Sequence, residues 1–108
     1  MRLPKIMGSL VLITAIILYA APVVSQDQST AQVTIINFAF DPGTVTIARG
    51  DTVSWTNQDS TVHTVKFGSD ESSAFRKGQS YSRTFNDAGT FDYVCGIHPG
   101  MKGKVIVT

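Results

Sequence analysis

This 108-residue chain has little cysteine and, beyond residue 25, no leucine and no excess of positive charge. There is one cysteine, Cys95, so no disulfide can close within the chain. No leucine occurs beyond Leu18, whereas residues 26–108 hold 8 Val, 5 Ile and 11 Thr. β-Branched side chains suit a pleated surface and lose χ1 freedom in a helix, which excludes a helical bundle. Over the same residues seven Lys and Arg stand against eight Asp and Glu, a net charge of −1. Without a basic excess there is no electrostatic footprint for nucleic acid. The length leaves room for one small domain and excludes a multi-domain enzyme.

What is present divides near residue 25. Met1 to Ser25 holds 17 of the 46 apolar residues. Arg2 and Lys5 precede an uncharged run from Ile6 to Gln26, the pattern of a secretory signal. Val23 and Ser25 suit the small-residue positions of a cleavage site, and Pro22 with its small neighbours favours cleavage. The run is also close to the roughly 20 residues that cross a bilayer as a helix, so residues 6–26 could instead associate with a membrane. The expectation is a signal peptide or membrane anchor over 1–25 and a flexible lead over 26–32. A single domain over 33–108 follows, exported to a periplasm or to the outer face of the cytoplasmic membrane.

Strand signals fill that domain. Val33 and Ile35, Val45 and Ile47, Val53 and Trp55, and Phe91, Tyr93 and Cys95 each recur at period two. His63, Val65 and Phe67 share the same spacing. Asp41-Pro42-Gly43, Gly50-Asp51 and Asn86 to Gly89 read as turns. Gly68 to Gly78 reads as an irregular excursion. Seven or so short strands with a turn about every 8–12 residues predict an all-β Greek-key sandwich or barrel of about seven to eight strands.

A lone cysteine in an exported chain is a buried inert thiol, half of an intermolecular bridge, or a metal ligand. Its surroundings discriminate. Cys95-Gly96-Ile97-His98-Pro99-Gly100-Met101 has a C-x2-H-x2-M spacing, and Gly96, Pro99 and Gly100 would break any helix. A tight loop could curl the three side chains around one point. The other histidine, His63, precedes Cys95 by 32 residues, and two strands of a sandwich can bring them together. Thiolate, two imidazoles and a thioether form a soft mixed donor set. Two His and one Cys in a plane with a weak axial Met define a blue-copper electron-transfer centre.

Residues 33–108 resemble a cupredoxin of the plastocyanin/azurin family, and the Cys95–Gly103 loop is most similar to the short ligand loop of amicyanins. Phe40-Asp41-Pro42, the run Gly50 to Asn57 leading to His63, and Asp87 to Cys95 carry the likeness. The resemblance implies one copper ion cycling between Cu(I) and Cu(II), with His63, Cys95 and His98 as strong ligands and Met101 as the axial one. It also implies a monomeric one-electron carrier that is not an enzyme. Redox donor and acceptor proteins would dock near the exposed edge of His98, with Ile97, Pro99 and Gly100 contributing an apolar surround. Many members carry Asn directly after the first ligand histidine, where it ties the two ligand-bearing segments together by hydrogen bonds. This chain has Thr64, whose hydroxyl can supply one such bond but not an amide's full set.

Rival readings fail on specific residues. An immunoglobulin-like sandwich would need a second cysteine before Trp55. A structural zinc site favours more than one Cys, and a thioether is a poor zinc ligand. A thiol hydrolase would use Cys95 and His98, but 83 residues leave little room for a substrate cleft. The alternative function is exported copper delivery or sequestration. Such proteins favour Met- and His-rich sites, whereas Met101 is the single methionine beyond residue 25. Arg76-Lys77, beside Asp70-Glu71, reads as solvated surface.

Overall fold

The structure, a computed structural model, describes residues 28–108; the expected signal or anchor over 1–25 lies outside them. Nine strands appear: β1 (Thr30–Ile36), β2 (Ala39–Asp41), β3 (Thr44–Ile47), β4 (Thr52–Asn57), β5 (Lys66–Phe67), β6 (Asp70–Glu71), β7 (Ser80–Thr84), β8 (Gly89–Val94) and β9 (Lys102–Val107). One sheet has the order β2-β1-β4-β7 and the other β3-β9-β8-β5-β6. β1 runs parallel to β4 and β3 parallel to β9, while the remaining pairs are antiparallel.

Alternation explains the layers. In β4, Val53, Trp55 and Asn57 are buried while Thr52, Ser54 and Thr56 are half-buried. The outward threonines of β4 bond across to β7, Thr52 to Thr84 at 2.7 Å and Thr56 to Ser80 at 2.8 Å. Inward side chains from both sheets meet in one core that includes Val33, Ile35, Trp55, Tyr93, Val105 and Val107. Trp55 lies at its centre, stacked on Tyr81 and edge-on to Tyr93 and Phe67. The indole Nε1–H donates to the Tyr93 hydroxyl at 3.0 Å. Burial pushes the Tyr93 phenol up to about 12, partly offset by that bond. Tyr93 faces Gly103 in the β8–β9 register, and a Cβ at Gly103 would collide with its ring.

The structure departs from expectation in four places. Among the described residues there are nine strands where about seven to eight were expected, because Ala39–Asp41 and Asp70–Glu71 form short strands of their own. Two- and three-residue strands are too brief to show a period. β1 begins at Thr30, inside the expected lead, and Thr30, Ala31 and Gln32 pair with Thr52, Val53 and Ser54. The backbone makes that ladder, so polar side chains do not prevent it. His63 to Val65 is not a ladder strand. Its backbone meets Phe75 in an isolated bridge, and His63, Thr64 and Val65 are all buried in succession. The chain crosses between sheets there, and without a ladder the pleat does not enforce alternation.

Candidate metal centre

β8 and β9 form a hairpin, and the C-x2-H-x2-M segment is its connecting loop. Cys95 follows the last residue of β8, and Met101 precedes the first of β9. Two backbone bonds close the loop: Cys95 N–H to Met101 C=O at 3.1 Å, and Met101 N–H to His98 C=O at 2.9 Å. His63 comes from the crossing segment, held by reciprocal bonds with Phe75 at 3.2 and 3.0 Å.

His63, Cys95 and His98 meet. The Cys95 Sγ lies 3.7 Å from His63 Nδ1 and 3.7 Å from His98 Nδ1, and the three donor atoms all lie within 4.8 Å of one another. His63 and Cys95 are fully buried, and His98 is half-buried. Met101 is buried beside them in sequence at the end of the loop. An ion bonded at about 2.0 Å to nitrogen and about 2.3 Å to sulfur, with donors about 120° apart, would separate N from S by about 3.7 Å. The two N–S spacings therefore match those of a trigonal His-Cys-His set, and the three residues can hold one copper ion.

Asp59 decides which imidazole nitrogen faces the sulfur. Its Oδ2 lies 2.9 Å from His63 Nε2, and an ionised carboxylate only accepts, so the ring proton sits on Nε2. The Nδ1 lone pair is left facing Cys95. The same carboxylate accepts the N–H of Asn37 on Oδ1 at 2.7 Å and that of Phe38 on Oδ2 at 2.9 Å. Burial pushes the Asp59 carboxyl up, but the bonds from Phe38, His63 and Asn37 outweigh it, and its pKa lies below the ordinary aspartate value.

Those two N–H groups belong to the turn joining β1 and β2. Asn37 and Phe38 have φ of 54° and 55°, as a two-residue hairpin turn requires. Asn tolerates this region; a bulky aromatic residue is strained there, by a cost on the order of 1–2 kcal/mol. The Asp59 bonds hold the strained conformation. Its consequence is that the Phe38 ring stands edge-on to both imidazoles, 5.3 Å from His63 and 5.0 Å from His98.

Four large apolar side chains are exposed among the described residues: Ile36, Phe38 (49%), Val62 and Ile97 (44%). Each lies within two residues of Phe38 or of a site histidine. Ile97 was anticipated; Phe38, Asp59 and Val62 were not. A carboxylate four residues before a histidine was the available signal for Asp59. Nothing in the sequence marks Phe38.

Thr64 connects the two histidine- and cysteine-bearing segments. Its N–H points at the Cys95 Sγ at 3.4 Å, and its Oγ1 accepts the Gly96 N–H at 2.8 Å. The hydroxyl also donates to Glu71 Oε2 at 2.8 Å. Its hydroxyl thus supplies one bond between the two segments, as expected, and a second to Glu71, which lies in the expected irregular excursion.

Comparison with known proteins identifies the family. The family profile described as Cupredoxin-like domain matches residues 9–107. Amicyanin-alpha of Methylorubrum extorquens is 40% identical over 85 residues, covering 72% of this chain and 71% of that protein. Amicyanin of Paracoccus versutus is 49% identical over 70 residues, and the match spans 58% of this chain and about half (53%) of that protein. A chloroplastic plastocyanin of Tetradesmus obliquus is 39% identical over 83 residues, covering 63% of this chain and 57% of that protein. A solved structure of a reduced tryptophan-to-tyrosine variant of amicyanin superposes with a TM-score of 0.71 at 35% identity, covering 73% of this chain and 82% of that one.

Proposed function

This chain belongs to the cupredoxin-like family, and we propose that it carries single electrons between a donor and an acceptor protein, with His63, Cys95 and His98 as strong copper ligands and Met101 as a weak axial one. Bound copper supplies the one-electron change between Cu(I) and Cu(II). The observation that carries the reading is the convergence of two Nδ1 atoms on one Sγ at equal 3.7 Å spacing.

The chain supplies the rest. Buried hydrogen bonds fix His63 and the Cys95 segment, so little rearrangement accompanies a change of charge. Phe38 stands edge-on to both imidazoles and borders the half-buried His98. The half-buried His98 ring, bordered by exposed Ile97 and Phe38, is the point where a partner docks and the electron passes. Full burial of His63 and Cys95 favours a carrier over a delivery protein, since handing copper on requires ligands that an acceptor can reach. We place the monomer outside the cytoplasm, on the strength of the basic-then-apolar N-terminal run. Among the described residues no helix is long and apolar enough to cross a membrane.

The test is optical and kinetic. Loaded with Cu(II), the protein should be intensely blue from thiolate-to-copper charge transfer, and Cys95→Ser should lose the colour. A colourless wild-type adduct would reject the assignment. Fast electron self-exchange with slow loss of copper to a chelator separates carrier from delivery protein.

A further inference from the structure

Glu71 has no place in the ligand set, yet it reaches the centre of the tie between the ligand-bearing segments. It lies on β6, and its register partner on β5 is Lys66. β5 touches the cysteine strand β8 through a single register pair, Lys66 with Val94. The short β5–β6 hairpin is therefore weakly laddered to the rest of its sheet. Side chains complete the attachment. Ser72 Oγ accepts the Val65 N–H at 3.0 Å, and the Val65 C=O accepts the Ser72 N–H at 2.9 Å. Beside these, Glu71 Oε2 accepts a hydrogen bond from the Thr64 hydroxyl.

The direction of each bond follows from chemistry. Gly96 N–H can only donate, so Thr64 Oγ1 accepts there and its one proton is free for another acceptor. An ionised Glu71 can only accept. The carboxylate thereby turns the hydroxyl so that a lone pair faces Gly96. Packing agrees: a Cβ at residue 96 would lie 2.9 Å from Thr64 Oγ1 and would collide with the Glu71 carboxylate. Only a glycine after Cys95 leaves room for the pair. Among the described residues no ion pair engages Glu71.

We propose that Glu71 is a positioning residue of the metal centre: through the Thr64 hydroxyl it locks the Cys95–Gly96 segment to the His63–Thr64 segment, and its unpaired negative charge biases copper toward Cu(II). The charge effect rests on the copper reading above, whereas the lock is a property of the chain alone. An anion near the site favours the higher metal charge, with an effect that solvent and salt screen. Hydrogen-bond partners that orient ligands typically change metal affinity about 10–100-fold when removed.

Two substitutions separate lock from charge. Glu71→Gln keeps a carbonyl oxygen for the Thr64 hydroxyl but removes the charge; Glu71→Ala removes both. Glu71 is exposed, so neither variant threatens the core. Amide hydrogen exchange at Gly96 in the metal-free full chain reads the lock. It should accelerate up to about tenfold in E71A, the equivalent of one net hydrogen bond, and remain near wild type in E71Q. Competition against a chelator should show about 10–100-fold weaker copper binding in E71A. Redox titration at low salt should show a raised reduction potential in E71Q, with its charge-transfer band unmoved. Unchanged Gly96 exchange and copper affinity in E71A would overturn the lock, and an unchanged potential in E71Q would overturn the charge effect. A wild-type protein without the blue band would defeat the copper reading instead, and the Gly96 exchange would still decide the lock.

Discussion

Asp59→Asn is a change of one atom that the site should not tolerate. Both carboxylate oxygens of Asp59 are committed as acceptors, Oδ1 to Asn37 N–H and Oδ2 to Phe38 N–H and His63 Nε2–H. An asparagine amide has one accepting oxygen and one donating nitrogen. In one orientation the nitrogen opposes the Asn37 donor; in the other it opposes both Phe38 and His63. Neither rotamer satisfies the set. The first keeps a bond to the fully buried His63 ring without its charge assistance and sets two donors face to face at Asn37, whereas the second orphans the His63 Nε2–H at a cost of about 1–3 kcal/mol. The Asn37 and Phe38 amides sit at an exposed turn where water can replace part of what is lost. We expect D59N to destabilise the metal-free protein by about 2–3 kcal/mol, a large fraction of the roughly 5–15 kcal/mol that holds a domain together. With a urea slope of about 1–3 kcal/mol per molar, the midpoint should fall by about 0.7–3 M. Freed from its anchor, the turn should relax toward negative φ and withdraw Phe38 from the two imidazoles. Copper affinity should drop by about 10–100-fold, and loss of the anion bonded to a ligand ring should raise the reduction potential. A D59N midpoint within about 0.2 M of wild type, with unchanged copper affinity, would refute the account.

Three other changes probe different parts of the molecule. With its phenol raised to about 12 from an ordinary value of 10, Tyr93 binds its proton more tightly folded than unfolded. Its contribution to stability is therefore complete below about pH 10 and is lost as pH rises toward 12, by about 2–3 kcal/mol. Urea titrations of metal-free protein across that range should show the loss, and Tyr93→Phe should abolish it while costing about 1–3 kcal/mol at neutral pH through the orphaned Trp55 N–H. Met101→Leu should retain copper and raise the potential, because a weak donor that favours Cu(II) is gone; an unchanged potential in a redox titration would show that Met101 is not axial. Phe38→Ser should leave the charge-transfer band in place but slow electron self-exchange, measurable by NMR line broadening in mixed oxidised and reduced samples. Equal exchange rates would remove Phe38 from the contact surface.

What could be read from the sequence was what lies close together along it. Cys95, His98 and Met101 fall within seven residues punctuated by helix breakers, and only two histidines exist to choose from. β4 and β9 show inward Val and Trp at period two because each is long enough, at six residues, to display it. The hidden parts depend on the chain folding back. Thr64 and Glu71 are seven residues apart and meet only because a two-stranded hairpin reverses between them. Asp59 looks like an ordinary polar loop residue until a turn 22 residues upstream presents its amides. Phe38 runs against local preference outright, since an aromatic residue at φ 55° is paid for by bonds that no local window contains. The apparent period of His63, Val65 and Phe67 misled for a related reason: burial between two sheets comes from both sides at once.

These hidden contacts also explain how loops can hold ligands as firmly as strands would. Neither His63 nor the Cys95–Met101 loop lies within a sheet ladder, so the ladders alone cannot set the distance between them. Each has its own buried anchor: Asp59 holds the far nitrogen of His63, and Thr64 holds the cysteine segment through the Sγ and the Gly96 amide. His63 and Thr64 are adjacent, so the two anchors act on one short piece of backbone from opposite directions. Rotation of the imidazole would break the Asp59 bond, and sliding of the cysteine loop would break the Thr64 bonds. The spacing between Nδ1 and Sγ is thereby held by the chain's own hydrogen bonds. A site held in this way has little to rearrange when one electron enters or leaves, and that is the property a carrier needs.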